Sequence, residues 1–130
     1  MFTTGRKGHL ETIVTEETSA RSVGSGGLLV YATPSMISLV EETCWRSVAE
    51  ELGEGQSTVG TKIRIDHLAA TPLGMKVWCD TELIEVDRRR LVFAVRAYDE
   101  AGLIAEGTHE RFVIDVEKFM AKANAKKVKP

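Results

Sequence analysis

The stretch TPSMISLVEETCWRSVAEELG, residues 33–53, has the periodicity of one long amphipathic α-helix. At about 100° per residue, its apolar side chains form one continuous stripe, made of Met36, Ile37, Val40, Cys44, Val48 and Leu52. Thr33 is predicted to cap the helix, Pro34 suits the first helical position, and Gly53 marks the end. The stretch therefore predicts a helix that buries one face against the rest of the protein.

One carboxylate interrupts this apolar stripe. Glu41 projects between Val48 and Leu52, whereas its neighbour Glu42 points away from the stripe. A buried carboxylate is destabilising unless it is paired, hydrogen-bonded or protonated. Two interpretations are open at this stage: a catalytic group, or a partly exposed carboxylate at a dimer seam that pairs with an arginine.

Outside the helix the pattern alternates with a period of two, as in β-strands. A first strand is predicted over residues 9–14, before the helix. In the strand that follows the helix, one face is predicted to carry Val59, Thr61, Ile63, Ile65 and His67. Three further strands are predicted over residues 75–86, 91–98 and 103–116.

The order of these elements defines a fold class. One strand, a long helix and four consecutive strands with hairpin-like connections favour an α+β protein with an antiparallel sheet. A sheet of about five strands wrapped around one central helix is the hotdog arrangement. Such small sheets usually pair edge to edge or face to face, which covers the exposed edge. We therefore expect a homodimer, or a dimer of dimers.

Composition narrows the class of protein. The chain has 130 residues, 43% of them hydrophobic and 28% charged, which is typical of a single globular domain over residues 1–130. A net charge of −2 argues against a nucleic-acid partner. No apolar run reaches the roughly 18 residues that span a membrane, and the N-terminal residues lack the apolar segment of a signal peptide.

The cysteines and the C-terminal residues complete this description. Cys44 and Cys79 lack metal-ligand spacing and are expected to be reduced, structural thiols, which points to the cytoplasm. No metal site is predicted. Residues from about 118 to 130 form a basic C-terminal tail that contains Lys118, Lys122, Lys126, Lys127 and Lys129. Three arginines at positions 88–90 lie in a predicted hairpin turn. Two interpretations are open: the turn is a solvated loop, or its arginines attract phosphate groups.

Three polar side chains suggest chemistry. Thr33 offers a hydroxyl, Glu41 a carboxylate and His67 an imidazole, which are the types used in acyl transfer. Two helical turns separate Thr33 from Glu41 by about 12 Å along the axis. Only a substrate, a water molecule or a second subunit could therefore join them at one reacting atom. Each also has a structural alternative, since Thr33 could simply cap the helix and His67 could be a core histidine.

At these residues the chain resembles the fluoroacetyl-CoA thioesterase-like branch of the hotdog superfamily. The spacing of Thr33, Glu41 and His67 matches the catalytic spacing of that family. The resemblance extends from about residue 30 to residue 119 and includes Thr58-Val59-Gly60-Thr61, residues 67–74, Gly107-Thr108-His109-Glu110-Arg111 and Glu117-Lys118-Phe119.

The resemblance implies a dimeric enzyme that hydrolyses an acyl-CoA thioester to a free acid and CoA. By this analogy Thr33 lies at the acyl carbon, and Glu41 is the nucleophile or general base. His67 orients and polarises a water molecule. Gly60 would contact the thioester carbonyl through its backbone, and Arg111 would help to fix the site. No cofactor is implied, because CoA is part of the substrate.

One departure from the family affects the expected substrate. The segment before Thr33, residues 22–29, contains no Phe or Trp, whereas the fluoroacetate-detoxifying member has a longer segment rich in aromatic residues. We therefore expect a small or medium acyl group rather than specificity for a fluorinated one. The alternative function is a non-catalytic protein that binds acyl-CoA or acyl groups. A hotdog hydratase is disfavoured because the long helix contains no histidine.

Overall fold

A computed structural model of the chain describes residues 2–128; Lys129 of the predicted basic tail lies outside the described residues. The elements follow in the predicted order. They are β1 (Lys7–Ile13), α1 (Ala20–Val23), α2 (Thr33–Val48), β2 (Gln56–His67), β3 (Lys76–Asp87), β4 (Arg90–Asp99), β5 (Gly102–Asp115) and α3 (Val116–Asn124). Single 3₁₀ turns flank α1, α2 and α3. Much of the predicted basic tail is thus helical.

The five strands form one antiparallel sheet in the order β1-β3-β4-β5-β2. This confirms the predicted hotdog architecture, in which a sheet of about five strands surrounds one long helix. The strand β2 is at one edge and pairs with β5 alone. Among residues 2–128, no helix combines the length and apolar character that crossing a membrane requires.

The helix α2 packs on one face of this sheet and forms the core with it. Its buried residues are Met36, Leu39, Val40, Thr43, Cys44 and Val48. They meet buried sheet residues that include Val77, Cys79, Leu83, Leu91, Phe93 and Val95. Each large apolar side chain buried in this way contributes about 1.5–3 kcal/mol. At Gly8 of β1 the helix comes so close that an added Cβ would lie 3.0 Å from the Thr43 carbonyl oxygen.

Two details of the predicted helix are wrong. Ala32, not Thr33, is the N-cap residue, and no side chain caps α2. The buried face is also rotated away from Glu41, because Leu39 and Thr43 are buried while Ile37 is only partly so. The Glu41 side chain therefore lies at the boundary of the packed face, with 44% of its surface exposed. At that boundary one side of the carboxylate keeps its contact with water.

A β-bulge corrects the predicted face of β2. The pairing with β5 shifts between Gly60 and Lys62, so that Thr61 is the extra residue. An extra residue reverses the alternation, so Thr58 and Gly60 lie on the same face as Ile63, Ile65 and His67. The prediction is correct for the last three residues and wrong for Val59 and Thr61. Because of the bulge, Thr58 and Gly60 near the start of β2 and His67 at its end all face the helix side of the sheet.

The strands β2 and β5 also approach each other very closely. A Cβ added at Gly107 of β5 would lie 1.9 Å from the Arg64 carbonyl oxygen of β2 and 3.0 Å from the Ile65 Cα. Backbone atoms cannot move aside as the end of a flexible side chain can. The pairing of these two strands therefore requires glycine at position 107.

Gly107→Ala is expected to lower the free energy of unfolding by about 3 kcal/mol, because a methyl group would force the two backbones apart. Gly27→Ala is the matched control, since nothing lies within 4 Å of a Cβ at that position, and it should change stability by less than about 0.5 kcal/mol. Urea unfolding of both variants measures the difference. Equal stability of the two variants would contradict the close approach.

Candidate active site

One part of the candidate site is a hydrogen bond between Thr33 and His67. The Thr33 Oγ1 lies 2.7 Å from the His67 Nδ1. Thr33 begins α2 and His67 ends β2, and the segment before Thr33 is hydrogen-bonded to the segment after His67. The Tyr31 N–H donates to the Thr71 carbonyl at 2.8 Å, and Val30 forms a bridge with Pro72. The start of the helix is thereby held beside the end of the strand.

The environment of His67 favours the neutral form of its imidazole. Burial lowers the pKa of its imidazole, with a smaller opposing effect from the Ala69 backbone, so the ring is neutral near pH 7. Its Nε2 is buried and has no hydrogen-bond partner within the described residues. The bond to Thr33 can be donated by either group, according to the tautomer. A neutral imidazole beside a hydroxyl can act as a general base.

The second part of the site is Glu41 with Arg111. The Glu41 Oε2 lies 3.8 Å from the Arg111 Nη1, which is an ion pair without a hydrogen bond. The arginine is almost wholly buried, at 6% exposed. Burial lowers the pKa of Arg111 and the nearby Glu41 carboxylate opposes that shift. A cleft of about 310 Å³ opens beside the pair and is lined by Ser38, Glu41, Glu42, Trp45 and Arg111.

The Arg111 guanidinium is held mainly by Thr58 and His109. Its Nε donates to the Thr58 Oγ1 at 2.8 Å and its Nη2 to the Thr58 carbonyl at 2.9 Å. Its Nη1 lies 3.1 Å from the His109 Nε2. Neither Thr58 nor His109 is among the site residues predicted from the sequence. The position of Thr58 on this face depends on the β-bulge at Thr61, which no periodicity indicates, whereas His109 shares the face of Arg111 because it lies two residues before it on β5.

Gly60 lies directly against the Glu41 carboxylate. A Cβ added there would be 2.8 Å from the Glu41 Oε2, 3.1 Å from the His109 Cε1 and 3.4 Å from the Arg111 Nη1. Any larger residue would push into this cluster. The absence of a side chain thus leaves the backbone of β2 open towards Glu41 and its cleft.

The predicted site residues therefore form two groups within one chain. Thr33 contacts His67, and Glu41 contacts Arg111 beside Gly60, but no hydrogen bond joins the two groups within residues 2–128. Thr33 and Glu41 are about 12 Å apart along the helix axis. Gly60 and His67 pair with Arg111 and Ala105, which are six residues apart on β5, so they are separated by about 20 Å along the strand.

Other predicted features are not part of these groups. Cys44 and Cys79 are unpaired and buried, and burial raises the pKa of the Cys79 thiol to about 12, so neither resembles a reactive thiolate. No cluster suited to a metal ion occurs among the residues that the structure describes. In the β3–β4 hairpin, Arg89 pairs with Asp115, and Arg90 pairs with Glu85 and Glu110. Two of the three turn arginines are thus engaged within the protein.

Comparison with known proteins gives consistent matches. A family model described as fluoroacetyl-CoA-specific thioesterase matches residues 14–117. The fluoroacetyl-CoA thioesterase of Streptantibioticus cattleyicolor is 45% identical over 97 residues, which cover 75% of this chain and 70% of that protein.

Solved structures give the same result. A structure of fluoroacetyl-CoA thioesterase matches with a TM-score of 0.91 and 34% identity, covering 100% of this chain and 99% of that chain. A thioesterase superfamily member from Thermus thermophilus matches with a TM-score of 0.90 and 29% identity, covering 98% and 94% of the two chains.

These structures cover nearly the whole chain, so the fold class is that of the hotdog thioesterases. Within that class, the chain belongs to the fluoroacetyl-CoA-specific thioesterase family. Membership confirms the family resemblance seen in the sequence and the predicted class of enzyme, a thioester hydrolase.

The three histidines should give the stability a two-signed pH dependence. Burial lowers the pKa values of His67 and His109 below 6.5. Their contribution to the free energy of unfolding is therefore fully present above about pH 6.5 and is lost as the pH falls through the lowered pKa values. Asp80 and Glu11 raise the pKa of His9. Its contribution is therefore present below about pH 6.5 and is lost as the pH rises through the raised value.

We expect His109→Gln to flatten the loss of stability as the pH falls from about 6.5 to 5, and His9→Gln to flatten the loss of stability as the pH rises above about 6.5. Urea unfolding at fixed protein concentration, repeated across both ranges, measures the two effects on the slope of stability against pH. Opposite signs for the two variants are the decisive outcome. The same slope in both variants and the wild type would contradict this account of the histidines.

Proposed function

We propose that this protein is an acyl-CoA thioesterase that hydrolyses a small or medium acyl-CoA thioester to the free acid and CoA. Its catalytic set is Thr33, Glu41 and His67. The hydrogen bond of 2.7 Å between the Thr33 hydroxyl and the neutral His67 imidazole carries this proposal. The similarity to the fluoroacetyl-CoA thioesterase of Streptantibioticus cattleyicolor supports CoA thioesters as the substrate class.

The chemistry follows from the residue types. The group that attacks the acyl carbon is the Thr33 hydroxyl, the Glu41 carboxylate or water. If Thr33 or Glu41 attacks, CoA leaves as the thiolate, His67 takes the proton of the Thr33 hydroxyl or of the water that then hydrolyses the acyl-enzyme, and the proton is passed to the thiolate. If water attacks directly, Glu41 takes its proton, which is passed to the leaving thiolate. The Gly60 backbone contacts the thioester carbonyl, and Arg111 fixes Glu41 electrostatically. Trapping an acyl-enzyme would identify the attacking group.

We propose that the enzyme accepts a small or medium acyl group and is not specific for a fluorinated two-carbon one. The segment from Ser22 to Leu29 carries no aromatic ring that could close over a small acyl chain. Leu28 is 70% exposed and Gly24 adopts a left-handed conformation with φ 79°. An aliphatic, exposed segment of this kind suits a less restrictive pocket.

A homodimer would complete the site. The edge strand β2 exposes apolar Ile63 and has a free side for pairing. If two copies of β2 pair antiparallel around a two-fold axis at Arg64, with Thr61 left unpaired as the bulge residue, residues equally far from the axis face each other. His67 of one copy then lies opposite Gly60 of the other. The Thr33–His67 group of one subunit would thus meet the Glu41 group of its partner.

Thr33→Ala, Glu41→Gln and His67→Ala are each expected to lower kcat/KM by about 10²-fold or more, because each removes a group that acts in the transition state. Release of free thiol from short, branched and aryl acyl-CoA substrates measures this loss. Thr3→Ala, at an exposed residue near the N-terminus, is the control and should retain full activity. Wild-type protein that binds CoA tightly but hydrolyses none of these substrates would favour the non-catalytic binding protein instead. Full activity in Glu41→Leu would assign Glu41 a purely structural role.

Hybrid dimers test where the site lies. Subunits carrying Glu41→Gln and His67→Ala, purified as hybrids through two different tags, are expected to recover about half of the wild-type turnover. One of the two sites in each hybrid would keep Thr33 and His67 from one subunit and Glu41 from the other. The parent homodimers, in which both sites are damaged, are the controls. Hybrids as inactive as the parents would show that each site lies within one chain.

A further inference from the structure

His109 is a buried polar residue beside the candidate site. It lies on β5, is 1% exposed, and packs against the Phe93 ring with the ring centroids 6.5 Å apart. Its Nδ1 is 2.9 Å from the Lys62 carbonyl oxygen, and its Nε2 is 3.1 Å from the Arg111 Nη1. Both ring nitrogens therefore have a partner.

These partners fix the protonation state of the ring. A carbonyl oxygen can only accept a hydrogen bond, so the His109 Nδ1 must carry a proton. A guanidinium can only donate, so the Nε2 must present its lone pair to Arg111. Only the neutral Nδ1–H tautomer satisfies both bonds. Burial and the Arg111 charge favour that neutral ring, while the Lys62 carbonyl, Glu41 and Glu110 act in the opposite direction.

The same geometry explains the separation between Arg111 and Glu41. Thr58 holds the Nε and Nη2 of the guanidinium, and the His109 Nε2 accepts from its Nη1. The Glu41 Oε2 remains 3.8 Å from that Nη1, too far for a hydrogen bond. Because Nη1 carries two N–H groups, the bond to His109 does not use up its donors; together with the two bonds to Thr58 it fixes the orientation of the guanidinium and keeps Nη1 at this distance from Glu41.

We propose that His109 is a positioning residue that restrains the Arg111 guanidinium, so that Arg111 stabilises Glu41 by its charge but leaves the carboxylate free to react. This inference deepens the proposed function and rests on Glu41 being catalytic. Without the acceptor on His109, the guanidinium loses the restraint on its Nη1, which can then move toward Glu41 and form a direct hydrogen bond. A carboxylate held in that way is a weaker base and nucleophile, because its lone pair is engaged.

Two substitutions separate this role from a structural one. His109→Asn can keep a donor for the Lys62 carbonyl but lacks an acceptor that reaches Arg111. His109→Gln can place its side-chain oxygen near the position of the Nε2 and so keep that acceptor. We expect His109→Asn to lower kcat by about 10-fold to 10²-fold with KM little changed, and His109→Gln to recover most of that loss. His9→Gln, which alters an exposed histidine, is the control and should leave kcat unchanged.

A double-mutant cycle tests whether His109 acts through Arg111. In an Arg111→Lys background, His109→Asn should lower kcat by less than about twofold, because the guanidinium that it restrains is already absent. Equal factors in both backgrounds would overturn the proposal. So would an equal loss of kcat in His109→Asn and His109→Gln, accompanied by equal losses of thermal stability.

The tautomer provides a readout that does not depend on activity. The chain has three histidines, so ¹⁵N NMR can assign the His109 ring with the help of the His9→Gln and His67→Ala variants. We expect the neutral Nδ1–H form at pH 7. An Nε2–H tautomer or an imidazolium would overturn the positioning role whatever the turnover, whereas an inactive wild type with the expected tautomer would count against the proposed thioesterase function and not against the geometry.

Discussion

The packing of α2 against the antiparallel sheet is the contact on which the rest of the structure depends. Met36, Val40, Cys44 and Val48 are fully buried against it, and Gly8 lets the helix approach the backbone of β1. Because a packed helix can neither slide nor rotate freely, this contact also fixes the side chains at its margin. Thr33 is thereby held beside the end of β2, and Glu41 is held beside its beginning.

A second constraint comes from burying a permanent positive charge. Arg111 is almost wholly removed from water, yet its carboxylate partner is neither close nor buried. Neutral acceptors supply most of its hydrogen bonds, namely Thr58 and His109. A buried charge is tolerable when its donors are satisfied. In this arrangement the positive charge of Arg111 acts on Glu41, while the carboxylate forms no close, hydrogen-bonded ion pair with it.

The fold could be predicted from the sequence because its signals are periodic. The helical period of residues 33–53 and the alternation in the later strands are local patterns, and the helix and strands that they predict are confirmed, whereas the buried face of α2 and the face of the first part of β2 differ from the prediction. Of the candidate site, the sequence could supply the residue types and their spacing. It could not supply the exposure of Glu41, because the buried face of α2 is set by the sheet and not by the helix itself. Nor could it predict that Thr58 binds Arg111, because the orientation of Thr58 depends on a single unpaired residue in β2.

That unpaired residue has a consequence for how the sequence can vary. Thr61 is exposed on an edge strand, a position where substitutions are usually harmless. Deleting this residue would not be harmless. A strand without the extra residue would alternate strictly, and Thr58 and Gly60 would turn to the outer face of the sheet. We therefore infer that position 61 tolerates a change of side chain and not a deletion. Related chains should conserve the residue count between Gly60 and Lys62.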